Sequence, residues 1–373
     1  MSGLDAVATP AVVVSRDRLA ANIARVQAIA DAYGVRLRPH IKTHKCLEVA
    51  HAQLAAGAVG FTCSKTEEAA VFIADGAPSV TVAYPVVDPA KAAALMAAAR
   101  VSGTALRFIA DGDAAVDALA DAAARTGVAV GVFIKIDVGL HRVGLEESDP
   151  RLVPLAQRIA RARGLSLAGI LAHAGHAYGA SNAAGVRQVA RTEAALMARA
   201  KARLEAAGLA VPEVSVGSTP TVLASDAYDG ITEIRPGNYV FLDLTPVRLG
   251  VATFDQVALH VLATVVSVND SHAIIDAGSK VLSSDLGAHG SGAGGFGLAF
   301  RQGEPWTMAG MRVARLSEEH GFVAHGGHRP RVGERLCVIP NHSCPVANLA
   351  ETLVVTDGDR FETWGVAARA KVH

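Results

Sequence analysis

The first segment that could carry chemistry is RPHIKTHK, at residues 38–45, which ends the first strand-like apolar run of the chain. A lysine at the end of a buried strand can act as a Schiff-base amine, because burial lowers its pKa and frees its lone pair. A basic loop that binds solvent or a carboxylate is the alternative, and position alone leaves both interpretations open.

Two later segments combine small residues with hydroxyl groups: GSTPT at residues 217–221 and GNY at residues 237–239. Small residues let backbone N–H groups approach a phosphate closely, and the hydroxyls supply further hydrogen-bond donors. Enzymes built on parallel barrels often bind a phosphate at the loops that follow the last two strands. The two segments together therefore predict a phosphate-binding site.

His342 and Cys344 form a candidate metal pair late in the chain, after the apolar run 336–339. If the strand continues through them, their side chains share one face at a spacing that suits a metal. A core histidine beside a buried thiol is the alternative, and two ligands by themselves favour it. The remaining cysteines are interpreted as structural: Cys46, Cys63 and Cys337.

Alternating strand and helix patterns must position these residues over the first two-thirds of the chain. Ala-rich segments with helical spacing separate short apolar runs, and this alternation predicts parallel strands joined by crossover helices. The strand candidates are residues 35–41, 59–63, 80–84, 106–110, 128–136, 167–172, 214–216 and 239–242. The helix candidates include residues 16–33, 66–74, 89–100, 113–125 and 188–207.

Eight such strands predict an α/β fold of the (β/α)8 TIM-barrel type, whose usual size is about 250 residues. An open doubly wound sheet is the alternative, but the early G-x-G-x-x-G fingerprint is missing after the first strand. We therefore predict a barrel over residues 1–248 and a C-terminal, mainly-β domain over residues 249–373.

The pattern of the second domain is one of strands separated by turns, without convincing helices. The glycine-rich segment 287–297 within it is predicted to be a mobile loop. The strand candidates are residues 257–268, 272–276, 311–316, 333–339 and 352–356.

Composition is typical of a globular protein that acts on small molecules. Of 373 residues, 51% are hydrophobic and 19% are charged, which excludes disorder. Lys plus Arg and Asp plus Glu each number 35, so no basic excess exists to bind nucleic acid. No apolar stretch reaches the roughly 18 residues that span a bilayer, and the N-terminus lacks a signal-peptide pattern. Four cysteines do not make a disulfide framework in a chain this long, and we predict a cytoplasmic protein.

Several motifs spread over nearly the whole chain resemble one family of enzymes. They are RPHIKTHK, KIDVGLHRVG at residues 135–144, GSTPT, RPGNY at residues 235–239 and HSC at residues 342–344. Together they are similar to the D-threonine aldolase / D-serine dehydratase family, which belongs to the fold-type III enzymes that use pyridoxal 5'-phosphate (PLP). The family fold is an alanine racemase-like barrel with a C-terminal β domain. Alanine racemases themselves lack the His-x-Cys pair and are a poorer match.

The resemblance implies a role for each matching residue. Lys42 would form the Schiff base with PLP, and Arg142 would reach the phenolic oxygen of the cofactor. His173 would place its ring against the pyridine, and Tyr178 would reach the phosphate end. The phosphate-binding turns would comprise Gly217, Ser218, Thr219, Gly237, Asn238 and Tyr239.

The resemblance also implies a divalent metal and a second subunit. His342 and Cys344 match the family's metal pair, and a thiolate ligand favours zinc, whereas a carboxylate would suit manganese or magnesium. The family usually forms head-to-tail homodimers, with the C-terminal domain presenting the metal ligands at an interface. We therefore expect a homodimer that acts on a small D-amino acid, without nucleic-acid or membrane partners.

The resemblance leaves two reactions open. The segment after the lysine, with Lys65 and Glu68, and the segment DAGSK at residues 276–280 look like the aldolase form. His176 could then remove the β-hydroxyl proton, although a solvated loop histidine is the alternative. Cys344 resembles the dehydratase form, because the aldolase pattern commonly has Asp there, and GSTPT with RPGNY also resembles dehydratases.

We favour retro-aldol cleavage of D-threonine to glycine and acetaldehyde. Dehydration of D-serine to pyruvate and ammonia is the alternative reaction. A barrel that binds PLP without catalysis is a remote third possibility, against which the C-terminal domain and its metal pair argue.

Overall fold

The computed structural model describes residues 3–288, 294–326 and 329–373. Short 3₁₀ turns occur at Gly3–Ala6, Ile41–Thr43, Gly175–Gly179, Asn238–Val240 and Phe254–Gln256. The strands are β1 (Ala11–Ser15), β2 (Arg36–Leu37), β3 (Phe61–Cys63), β4 (Ser79–Pro85), β5 (Ala105–Ala110), β6 (Val130–Lys135), β7 (Leu165–Leu171), β8 (Glu213–Val216), β9 (Glu233–Ile234), β10 (Leu259–Val268), β11 (His272–Ile275), β12 (Gly297–Arg301), β13 (Met311–Leu316), β14 (Gly321–Ala324), β15 (Arg335–Pro340), β16 (Thr352–Asp357) and β17 (Arg360–Gly365). The helices are α1 (Arg16–Ala32), α2 (Leu47–Ala55), α3 (Thr66–Ala74), α4 (Pro89–Ser102), α5 (Asp113–Thr126), α6 (Leu152–Arg161), α7 (Ala183–Ala206), α8 (Thr219–Ala224), α9 (Leu244–Arg248), α10 (Ser279–Leu282) and α11 (Ser343–Leu349).

Local sequence explains where the helices of the barrel begin and end. At α4, the Asp88 side chain accepts a hydrogen bond from the Ala90 N–H at 2.9 Å, and Pro89 occupies the first helical turn. Gly103 ends the helix in the left-handed conformation, with φ of 74°. An acceptor side chain at the start, an early proline and a glycine after the last turn are standard signals for a helix of this length.

The predicted α/β barrel is confirmed. Among the described residues, an eight-stranded parallel sheet runs in the order β2-β9-β8-β7-β6-β5-β4-β3. Its two edge strands also meet, because the Val59 N–H donates to Leu37 O at 2.9 Å and the Thr62 N–H donates to Pro39 O at 2.8 Å. The carboxyl ends of all eight strands therefore surround one end of the barrel, where functional residues of this fold lie.

The eighth strand lies elsewhere than the sequence pattern predicts. The structure places it at β9, whereas residues 239–242 belong to a buried turn that includes Asn238–Val240. Leu242 has a φ of 54°, which a regular strand does not allow. The prediction was wrong because a short apolar run marks burial in a turn as readily as burial in a sheet.

A buried network of charges fills part of the barrel interior. Glu233 accepts hydrogen bonds from Arg38 Nε at 2.7 Å, Arg107 Nη2 at 3.1 Å and Ser215 Oγ at 2.7 Å. Ser215 Oγ in turn accepts a bond from Arg235 Nε at 2.7 Å. Through Glu233 and Ser215, the network therefore connects Arg38 and Arg107 to Arg235, which lies at the carboxyl end of the barrel.

The second domain is a nine-stranded sheet in the order β11-β14-β13-β12-β15-β10-β1-β16-β17. Adjacent strands in this sheet run antiparallel, except that β1 and β16 run parallel to each other. Strand β1 was not anticipated from the sequence, although Val13 pairs with both His260 and Val354. The sheet thus combines a strand from the N-terminal region with the strands that follow the barrel. It also carries two short helices, α10 and α11, in a region where helices were not expected.

The glycine-rich segment is only partly described. Residues 289–293 of the predicted mobile loop lie outside the described residues. The part from Gly294 onward packs, which corrects the prediction there: the Gly294 carbonyl accepts a bond from Arg312 at 2.7 Å, and Gly297 begins β12. A β-carbon at Gly295 would lie 2.7 Å from Val313 O, so glycine allows a close approach between strands. No helix in the described ranges is both long and apolar enough to cross a membrane.

Candidate active site

A cavity of about 140 Å³ lies at the carboxyl end of the barrel, where the start of α11 from the β domain meets it. Most of the residues expected at the site line this one cavity. Its lining residues are His40, Lys42, Thr43, His173, Tyr178, Ser218, Thr219, Arg235, Gly237, Asn238, Ala288, His342 and Cys344.

Lys42 lies on the 3₁₀ turn Ile41–Thr43, which follows β2 (Arg36–Leu37) after a short connection. The preceding His40 caps this turn, since its Nδ1 accepts a bond from the Lys42 N–H at 3.4 Å. Burial lowers the pKa of the Lys42 amine, and the charges of Arg142 and Arg235 lower it further, against the opposing effect of Cys344. A lysine with a lowered pKa is more often neutral, which suits an amine that acts as nucleophile or base.

The two predicted phosphate turns lie side by side. The Ser218 N–H donates to Thr221 Oγ1 at 2.8 Å and so begins α8. The Tyr239 N–H donates to Thr219 Oγ1 at 3.1 Å and joins the second turn to the first. The backbone N–H groups and hydroxyls gathered here could hold a phosphate.

Glycine is required where the second turn approaches the lysine turn. A β-carbon on Gly237 would lie 2.9 Å from His40 O and 3.0 Å from Thr43 Oγ1. At the first turn, Gly217 has a φ of 105°, a conformation that favours glycine. The phosphate turns and the Lys42 turn therefore pack directly against each other.

His173 and Tyr178 lie near these turns, as expected. His173 Nδ1 is 3.4 Å from Gly217 O, and burial lowers its pKa well below the usual value. Its ring is therefore neutral and could lie against a pyridine without adding charge. Burial raises the pKa of Tyr178, and hydrogen bonding to Thr219 holds the neutral phenol beside the first phosphate turn.

Three of the expected cofactor residues lie outside the cavity lining. Tyr239 is buried behind the second turn, where its hydroxyl accepts a bond from Gln53 Nε2 at 2.9 Å, so only its backbone serves the site. Arg142 is exposed on the connection between β6 and α6, although its charge lowers the pKa of Lys42. Gly217 is also absent from the lining and acts through the shape of its turn.

His176 lies apart from the cavity lining. It is half-buried on the turn Gly175–Gly179, and a β-carbon on Gly139 would lie 3.3 Å from its Cε1 atom. Burial lowers the pKa of His176, whereas the charge of Asp137 raises it. The ring thus packs against the turn that contains Asp137 and Gly139.

His342 and Cys344 both face the cavity, but not from a continuous strand. Strand β15 ends at Pro340 and α11 begins at Ser343, so the predicted extension of the strand is wrong. The chain turns there because the Ser343 N–H donates to the buried Asp243 carboxylate at 2.8 Å. The two ligands flank this anchored residue.

The chemistry of this pair suits a divalent metal. Burial opposes ionisation of Cys344, but hydrogen bonding and the charge of His342 lower the pKa of the thiol below its usual value. Burial would lower the pKa of His342, but Cys344 and Asp285 raise it. Thiolate and imidazole are the donors that zinc prefers.

The pair leaves coordination positions open. Over residues 3–288, 294–326 and 329–373, no group of three or more His, Cys, Asp or Glu side chains is arranged to hold a metal. A metal at His342 and Cys344 would therefore complete its coordination with water or substrate, as catalytic metals do.

Asn238 joins the phosphate turn to the metal pair. Its Nδ2 donates to Asp243 Oδ2 and to Ser343 Oγ, both at 2.8 Å. Its Oδ1 is buried and has no hydrogen-bond partner within the described part of the chain, and the residue lines the cavity. Such an orphaned acceptor fits a site that receives a polar ligand.

Sequence reasoning missed several residues of the site. Arg235 lines the cavity, but the motif RPGNY that contains it gave it no role. Its position directly after a barrel strand could have identified it. Burial lowers its pKa to about 10. Asp243 and Asp285 act on the metal pair, and no local pattern marks either of them.

Comparison with known families decides the identity of the fold. Residues 14–245 match the family model described as alanine racemase, N-terminal domain. Residues 258–356 match the model described as putative serine dehydratase domain. The chain belongs to the fold-type III PLP family. Membership in the fold-type III family confirms the resemblance drawn from the motifs and supports PLP as the cofactor.

Several relatives of this fold-type III protein are named as dehydratases or aldolases. It is 40% identical over 370 residues to D-threo-3-hydroxyaspartate dehydratase of Delftia sp. (strain HT23), covering 95% of this chain and 96% of that one. It is 32% identical over 373 residues to D-threonine aldolase of Arthrobacter sp., covering 97% and 93%. A solved metal-free mutant of D-threo-3-hydroxyaspartate dehydratase superposes with a TM-score of 0.89 at 36% identity, over 98% of each chain.

Proposed function

We propose that this chain is a PLP- and divalent-metal-dependent lyase that eliminates water from a D-3-hydroxy amino acid, releasing a 2-oxo acid and ammonia. The observation that carries the proposal is that Lys42, His342 and Cys344 line the same cavity. The similarity to D-threo-3-hydroxyaspartate dehydratase supports the same reaction and suggests that compound as a substrate.

The residues of the cavity divide the work of an elimination. Ser218 and Thr219, together with the backbone of Asn238, would hold the cofactor phosphate, and Lys42 would take the proton from Cα of the substrate. PLP, when bound, supplies an electron sink for the charge that develops at Cα. His342 and Cys344 would hold the metal, which supplies a Lewis acid for the β-oxygen.

The protein environment favours these roles. The lowered pKa of Lys42 increases the fraction of its amine that is unprotonated and able to accept a proton. Arg235 and Arg142 add positive charge around the cavity, which attracts a substrate carboxylate and a phosphate. Several residues that line the cavity are buried, including Thr43, Ser218 and Asn238. They would limit the access of water to the proton that Lys42 transfers.

Retro-aldol cleavage of D-threonine is the second candidate, favoured by the similarity to D-threonine aldolase. It requires a base at the β-hydroxyl, and His176 is the candidate for this role. The position of His176 against the Gly139 turn, outside the cavity lining, is why we place elimination first.

Product analysis tests the proposal. The enzyme is incubated with D-threo-3-hydroxyaspartate, D-serine or D-threonine in the presence of PLP and either zinc or manganese. Ammonia with a 2-oxo acid is the expected product. Glycine with an aldehyde would overturn elimination in favour of the aldolase reaction. A bound-PLP spectrum that no D-amino acid changes would overturn the lyase function altogether.

Chelation tests the metal. Removal of the metal is expected to abolish turnover while PLP stays bound, and added zinc or manganese should restore it. Full activity in the chelated enzyme would make His342 and Cys344 a structural pair.

A further inference from the structure

Each candidate metal ligand is held by a neighbouring side chain. His342 Nδ1 lies 2.7 Å from Asp285 Oδ2. Asp285 is itself fixed in its loop, because its Oδ1 accepts a bond from the Gly287 N–H at 3.0 Å and its N–H donates to Ser283 Oγ at 3.1 Å. The carboxylate therefore has a defined position from which to orient the imidazole.

The contact with Asp285 decides which imidazole nitrogen can bind a metal. A carboxylate accepts a hydrogen bond, so Nδ1 of His342 must carry a proton. Nε2 is then the nitrogen left with a lone pair for the metal, and the carboxylate increases its basicity. With a different tautomer, the ring would present an N–H to the metal.

Thr43 holds the second ligand. Its Oγ1 lies 3.2 Å from Cys344 Sγ, and the whole residue is buried. A hydroxyl that donates to sulfur stabilises the thiolate, which is the form that binds a metal. The Asn238 amide is more distant from this sulfur, at 3.9 Å, so the Thr43 hydroxyl is the closer donor.

We propose that Asp285 and Thr43 are positioning residues that set the metal affinity of the site, Asp285 by fixing the tautomer of His342 and Thr43 by stabilising the thiolate of Cys344. This inference rests on the proposed metal-dependent function. Because Thr43 follows Lys42 directly, it also ties the sulfur ligand to the turn that carries the proposed base.

The test is a direct measurement of zinc and manganese affinity. The PLP-loaded protein is stripped with a chelator, dialysed and titrated against a colorimetric competitor. Asp285→Asn keeps the shape of the side chain and removes its charge, and Thr43→Val removes the hydroxyl. Each is expected to weaken zinc binding by about 10- to 100-fold, the usual effect of losing such a partner.

Two control variants distinguish the loss of a hydrogen bond to a metal ligand from a general disturbance of the fold. Thr43→Ser keeps the hydroxyl and should restore the affinity lost in Thr43→Val. Asp75→Asn alters another carboxylate–histidine pair, in which Asp75 lies 2.6 Å from His51 Nε2 at the surface, and should leave zinc affinity unchanged. The visible absorption of bound PLP and the thermal unfolding midpoint show that each variant is folded.

The outcomes distinguish this inference from the function on which it rests. Wild-type affinity in both Asp285→Asn and Thr43→Val would overturn the inference and leave the metal-dependent lyase standing. A wild-type protein that binds neither zinc nor manganese would overturn the proposed function and the inference together.

Discussion

Glu233→Gln is expected to destabilise the protein strongly. Glu233 contacts no residue of the proposed chemistry directly and reaches Arg235 only through Ser215. The Glu233 carboxylate is fully buried and lies between the guanidinium groups of Arg38 and Arg107. The substitution removes the carboxylate charge that pairs with both of these cations. It leaves the buried Arg38 without this carboxylate, while Arg107 keeps its ion pair with Glu213 at 2.7 Å.

The size of the effect follows from the pKa of Glu233. Burial would raise this pKa, but Arg38 and Arg107 lower it to about 2. A glutamate in an unfolded chain has a pKa of about 4.3, so the difference is roughly two units, or about 3 kcal/mol. This stability is present above the unfolded pKa and is lost as the pH falls from about 4.3 towards 2. Breaking a buried ion pair from one side costs a comparable amount, about 3–5 kcal/mol.

Urea unfolding followed by circular dichroism measures the difference between Glu233→Gln and the wild type. At pH 7 the variant should lose about 3–5 kcal/mol, and the gap should narrow as the pH falls below about 4.3. Glu213→Gln is the matched control, because Glu213 bonds Arg107 at 2.7 Å but keeps 20% of its side chain exposed. If Glu233→Gln costs no more than Glu213→Gln, the reasoning from burial and charge is wrong.

Three further substitutions test the site. Lys42→Ala should eliminate the visible absorption of bound PLP and lower turnover by about 10⁴-fold, the upper end of the range for a proton-transferring group; normal turnover would remove Lys42 from the mechanism. Gly237→Ala should weaken PLP binding about tenfold in an absorbance titration, because its β-carbon would lie 2.9 Å from His40 O and overpacking costs about 1–3 kcal/mol. Unchanged PLP affinity would show that the turn relaxes freely. His176→Ala should leave ammonia release little changed, since the ring lies outside the cavity lining; a loss of about 10²–10⁴-fold would identify it as a base instead.

Contiguous motifs were the predictable part of the site. RPHIKTHK places a candidate lysine within a few residues of its strand, and GSTPT places its hydroxyls within one turn. In both cases the chemistry depends on neighbours in sequence. Local spacing made His342 and Cys344 candidates and the family resemblance favoured a metal there, although the strand that was expected to align them ends at Pro340.

Contacts between distant segments could not be predicted. Asp285 lies 57 positions before His342, and no periodicity connects the two. Strand β9 escaped notice because it has only two residues, and Glu233 looks like a surface residue until its arginine partners are known. The eighth strand was predicted at residues 239–242 instead, because these buried residues have the apolar pattern of a strand.

The position of β1 has a consequence for synthesis of the chain. Its valines form an interior strand of the β domain, yet one neighbour pairs at His260 and the other at Val354. The ribosome must therefore complete the whole barrel before either neighbour exists, which takes roughly tens of seconds. During that time the apolar segment Ala11–Ser15 has exposed edges that can pair with other chains. The order of synthesis thus separates this strand from both of its partners until the barrel sequence is complete.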